Sequence, residues 1–84
     1  MNGLLHALIE DAAREAGCSI AQIVGRTRRR PIVWARQKAM RRAYEEGFSS
    51  VQIGLAFGGR DHTTVLYAAG VLSGEKPAFE RSKQ

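Results

Sequence analysis

The run Arg60-Asp61-His62-Thr63-Thr64 follows Gly58-Gly59 and leads into an apolar-periodic stretch. Short or forked polar side chains on the opening turn of a helix are suited to reading base edges in a major groove. An arginine offers two parallel donors to guanine O6 and N7, threonine methyls pack on thymine C5 methyl groups, and a carboxylate accepts from cytosine N4. Asp61 is equally suited to capping the helix, and it can do both. A second concentration is Arg26, Arg28, Arg29 and Arg30, in a stretch from Gly25 to Arg30 with no apolar residue. Mutual repulsion predicts an extended, solvated loop there, and such a loop suits phosphates. Between residues 26 and 42 stand eight Lys+Arg and no acid, so the alternative is a solubilising surface. His62, Asp61 and Cys18 are the best candidates for a nucleophile or metal set, but they lack ligand spacing, a second base and an oxyanion site. Neither catalysis nor a bound metal is expected.

These residues need elements to hold them. Leu4, Leu5, Leu8, Ile9, Ala12, Ala13 and Ala16 recur at helical steps, predicting a helix over residues 2 to 16, capped by Asn2 and stopped at Gly17. Ser19 to Gln22 is a Ser-x-x-Gln capping box that opens a brief second helix, closed at Gly25. Pro31 fits the first turn of a long third helix running to Glu46, with Ile32, Val33, Ala39, Met40, Ala43 and Tyr44 facing the core. Arg36 falls inside that apolar arc. It is either a packed arginine bonded to an acid or a helix end, or a phosphate ligand. Trp34 points the other way, as a partner contact or a ring covering an arginine stem. Ser49-Ser50-Val51-Gln52 is a second capping box, opening a helix that reaches Phe57. Gly58-Gly59 then permits a tight turn into a last helix from Asp61 to Leu72. That helix points Val65, Ala68, Ala69 and Leu72 inward and Thr63, Thr64 and Tyr67 outward, is weakened at Gly70 and ends at Gly74. Two short helices joined by a glycine turn have the outline of a helix-turn-helix.

A chain of 84 residues is one small module with a thin core, which favours helices over a large sheet. Its net charge of +5 points to polyanions. One cysteine closes no internal disulfide, and neither a signal pattern nor a long apolar run is present, so the chain reads as soluble and cytoplasmic, associated with the nucleoid.

The string from Gly58 to Ala68, GGRDHTTVLYA, closely resembles the signature of the C-terminal DNA-binding domain (domain IV) of the bacterial replication initiator DnaA. The resemblance extends through Ile53-Gly54, the segment Ala35 to Met40 and the basic loop, and covers roughly residues 5 to 72. It implies an all-α fold of the TrpR and DnaA domain IV type, which binds the DnaA box, an asymmetric A/T-containing site. By motif position Arg60, Asp61, His62, Thr63 and Thr64 resemble the base-reading set and Arg28 the minor-groove arginine. Arg36 and Gln37 resemble residues that hold phosphates, a role extended here to Arg26, Arg29, Arg30, Lys38 and Tyr67. The chain departs from the family at Trp34-Ala35, where the pattern has Arg-Pro. It is also one residue shorter between Met40 and Gly47, which would shift the long helix against the helix-turn-helix. No Gly-x-x-x-x-Gly-Lys-Ser/Thr phosphate loop occurs in these residues, so ATP-driven origin opening is not expected of them.

The expectation is therefore an all-α bundle of about five helices, containing a helix-turn-helix with a preceding basic loop. Residues 1–74 form the DNA-binding domain and 75–84 a flexible tail. Met1 lies close before the first helix, which fits a stand-alone relative. The partner is double-stranded DNA, read at a DnaA-box-like site to modulate replication initiation or transcription, in possible competition or contact with the full initiator. No cofactor, membrane or small-molecule substrate is expected. Two alternatives stand: a protein-interaction module using Trp34 and Phe48, and a sequence-independent DNA binder.

Overall fold

The computed structural model describes residues 3–70. Five helices follow one another: α1 (Gly3–Ala16), α2 (Ile20–Val24), α3 (Arg30–Glu45), α4 (Ser50–Ala56) and α5 (His62–Ala68). Among the described residues there is no strand, and the fold is all-α.

The boundaries follow from local hydrogen bonding. Ser19 Oγ accepts from the Gln22 backbone N–H at 3.1 Å while Gln22 Oε1 accepts from the Ser19 N–H at 3.1 Å. Ser49 and Gln52 repeat that exchange at 3.1 and 2.9 Å, so each short helix starts with its free donors satisfied. α3 has no side-chain cap at Arg29; Pro31 occupies its first turn, where a missing N–H costs nothing. α3 closes through the Phe48 N–H donating to the Ala43 carbonyl at 3.2 Å, which folds Phe48 back against the core.

Ile23, Met40, Ile53, Phe57 and Val65 are fully enclosed and come from α2, α3, the end of α4 and α5, so the core lies where these four segments meet. α1 lays Leu5, Leu8, Ile9, Ala12 and Ala13 over it, packing chiefly on α3. No helix among the described residues is long and apolar enough to cross a membrane.

Three expectations need correction. α5 stops at Ala68 rather than Leu72, because Gly70 takes φ 77° and ends the helix that it was expected only to weaken. Val33 and Tyr44 are half-buried while Ala35 and Arg36 are buried. α3 is flanked by α1, α2, α4 and α5, so its buried arc is wider than its apolar stripe. Leu4, expected in the stripe of α1, is exposed. Asn2, Leu72, Gly74, the boundary at residue 74 and the tail 75–84 lie outside the described residues.

Candidate nucleic-acid interface

α4 and α5 form the helix-turn-helix, and glycines set how tightly it turns. Gly54 is buried, and a Cβ there would run into the Arg60 carbonyl; the Arg60 N–H in turn donates to the Gly54 carbonyl at 2.8 Å. Gly58 sits at φ 81°, and a Cβ there would strike the Val24 carbonyl, so the turn lies directly against the end of α2.

The chain then leaves the turn into α5. Asp61 caps the helix, its Oδ1 accepting from the Thr63 N–H at 2.8 Å and from the Thr63 hydroxyl at 2.6 Å. Those two bonds, the hydroxyl first, hold the Asp61 carboxyl below the usual carboxylate range. His62, Thr63 and Thr64 are exposed, and the His62 ring lies 3.5 Å from Asp61. One turn on, Tyr67 is exposed as well. Thr63, Thr64 and Tyr67 form one wall of a groove of about 330 Å³; Arg36, Gln37 and Met40 of α3 form the other. α3 thus lies beside the opening of α5. Gln37 Oε1, enclosed in this structure, has no hydrogen-bond partner among the described residues.

Two arginines depart from their expected display. Arg36, buried in α3, donates through Nε to the Ile23 carbonyl at 2.6 Å, through Nη2 to Gln22 at 3.0 Å and through Nη1 to Thr27 at 3.2 Å. It is bonded to the end of a helix, as the packed alternative required, while it also lines the groove. Arg60 was expected to offer a free fork to guanine. Its guanidinium is instead turned inward, Nη1 donating to the Val24 carbonyl at 2.9 Å and to Phe57, and Nη2 to Gly25. Burial, followed by the nearby charges of Arg36 and Arg26, pulls its pKa down to about 10. Burial also lowers that of Arg36. Both remain cations at neutral pH.

The basic loop alternates. Thr27 is half-buried, its carbonyl held by Arg36 and its hydroxyl accepting from the Arg29 N–H at 3.4 Å. Arg26, Arg28, Arg29 and Arg30 are exposed around it. Arg30 lies over the Trp34 ring at 5.9 Å from its centroid, so that ring covers an arginine on its own helix one turn back. Lys38 is not brought to the groove. It pairs with Glu15 at 3.0 Å and lines the crevice between α1 and α3. Thr27 and the inward use of Arg60 were missed in the sequence, because Arg36 lies nine positions from Thr27 and the Val24 and Gly25 carbonyls lie 36 and 35 positions from Arg60.

Residues 6–70 match the family model described as the bacterial DnaA protein helix-turn-helix. The chain belongs to that family. It is 58% identical over 50 residues to the chromosomal replication initiator protein DnaA of Thermomicrobium roseum, covering 58% of this chain and 11% of that protein. To the DnaA of Picosynechococcus sp. it is 44% identical over 62 residues, 73% of this chain and 14% of the relative. To that of Chloroflexus aggregans it is 40% identical over 70 residues, 82% and 15% respectively. The chain thus spans less than a sixth of the length of these three initiators, and the part it matches is the helix-turn-helix.

Proposed function

We propose that this domain binds double-stranded DNA sequence-specifically at a DnaA-box-like site, without ATP hydrolysis. Asp61, His62, Thr63 and Thr64 face base edges in the major groove, and Arg28 enters the adjacent minor groove. Arg26, Arg29, Arg30, Gln37 and Tyr67 hold the phosphates. The carrying observation is that the opening turn of α5 exposes His62, Thr63 and Thr64 in a domain whose basic loop exposes four arginines. Matched against a duplex, the first group supplies base readout and the second counterion release. Gln37 brings an acceptor-and-donor amide into the groove beside the recognition helix, so it becomes a ligand for phosphate through its NH2. Arg36, Arg60 and Lys38 are left out of direct contact in this reading, since each already donates within the domain, the two arginines to backbone carbonyls and Lys38 to Glu15.

Selection of bound duplexes from a random pool tests this reading. An asymmetric, A/T-containing consensus is the expected outcome. Binding without enrichment would establish a sequence-independent binder, and no binding at low salt a protein-interaction module. A domain that occupies initiator sites without opening them would compete with the full initiator. Footprinting an origin with both proteins present tests that consequence; undisturbed initiator footprints would reject it.

A further inference from the structure

α2 has five residues, so most of its carbonyls cannot find partners within the helix. Two guanidiniums supply the missing donors. Arg36 takes the Gln22 and Ile23 carbonyls and Arg60 takes those of Val24 and Gly25, four consecutive residues. Each arginine then reaches a second segment: Arg36 the Thr27 carbonyl in the basic loop, Arg60 the Phe57 carbonyl at the end of α4. The root of the loop is thereby tied to α3 on one side and to the helix-turn-helix on the other. Gly58 makes this possible by letting the turn lie against the Val24 carbonyl.

We propose that Arg36 and Arg60 are positioning residues which dock the root of the basic loop, from Gln22 to Thr27, onto the helix-turn-helix and so fix the spacing between the minor-groove arginine and the recognition helix. This deepens the function proposed above and rests on it. The planar fork of arginine is needed because its donors diverge at fixed angles toward carbonyls of separate segments, whereas a lysine ammonium is a single point on a flexible stem. A loop held in place before binding does not have to be ordered on DNA, and this gain appears as affinity.

Arg60→Lys tests the inference, because it keeps the positive charge and removes the fork. In the free protein, amide exchange at Gln22 and Ile23, whose N–H groups donate to the Ser19 carbonyl, is expected to accelerate by about tenfold or more while α1 and the centre of α3 keep their protection. A substitution acting only on overall stability would accelerate the most protected amides of all helices together. Unchanged exchange at the loop root, or uniform acceleration, would overturn the proposal. On the selected duplex, Arg28→Ala is expected to weaken binding about tenfold in the wild-type background and less than about threefold in the Arg60→Lys background. Equal factors in both backgrounds would also overturn it. An Arg28→Ala variant that binds like wild type would instead sink the minor-groove role, while the exchange measurement still decides the docking. Should Arg60→Lys fail to fold, Arg36→Lys with the same exchange measurement takes its place, read against the same two outcomes.

Discussion

The loop arginines and the inward arginines are the same residue type put to opposite uses. Arg26, Arg28, Arg29 and Arg30 are exposed, with their charge open to a polyanion. Arg36 and Arg60 donate to six backbone carbonyls between them. The difference shows that a net charge of +5 overstates the surface available to phosphates, because part of it serves the fold. It also shows how a thin bundle can display a basic loop without letting it wander: the inward cations still repel Arg26, yet they are bonded to backbone carbonyls at the loop's root.

The sharpest break of this comparison is Arg36→Met. It keeps the packing volume and strands the Gln22, Ile23 and Thr27 carbonyls, so a loss of about 3 to 5 kcal/mol of stability is expected. Urea unfolding measures it, and a loss under about 1 kcal/mol would return Arg36 to the exposed group. Next in size is His62→Ala. His62 is exposed and holds no helix end, so the substitution should cost about 1 to 3 kcal/mol on the selected duplex and little on random sequence. Equal losses on both would show that the opening turn of α5 does not read bases.

The local part of this arrangement was legible in the sequence. Both capping boxes, Pro31 and Gly58-Gly59 act within a few residues, and they marked the starts of α2, α3 and α4 and the turn between α4 and α5 close to where they lie. Arg36 within an apolar arc announced the choice between packing and phosphate, and its burial and three carbonyl bonds match the packed alternative. Arg60 was not legible, because the carbonyls it serves on α2 lie 35 and 36 positions away and no local pattern encodes them. The signature that contains Arg60 made the base-reading role attractive, but a motif records that a residue is present and not which way it turns.

Arg29→Ala should fall below His62→Ala on specific duplex but act on every sequence alike. An exposed arginine facing phosphate releases about one counterion, so the slope of log K against log salt should flatten by about one unit or less. A sequence-dependent loss would move Arg29 into the reading set. Smaller still is a pH effect at Asp61. Its carboxyl is held below the usual range in the folded state by Thr63, so its contribution is complete at neutral pH and is lost as the pH falls through that lowered value. Asp61→Asn keeps a capping side chain without the charge and should remove this part of the acid sensitivity, as seen in the difference between the two proteins' unfolding midpoints across the acid range. Parallel pH profiles would show that the ionised cap adds nothing.

Lys38→Ala should have the smallest effect, and that smallness separates charge from position. Lys38 lies within the basic run of α3, next in sequence to Gln37, yet its ammonium pairs with Glu15 across the α1–α3 crevice. One step along a helix rotates a side chain by about 100°, enough to carry it from the α5 groove to the α1 side. The exposed pair is worth less than about 1 kcal/mol to stability. Duplex affinity should stay within about twofold of wild type, and the salt slope should be unchanged. If Lys38→Ala instead flattened the slope as Arg29→Ala does, phosphates would be reaching the α1 side of α3, and the footprint would wrap further around the bundle than the groove and loop alone require.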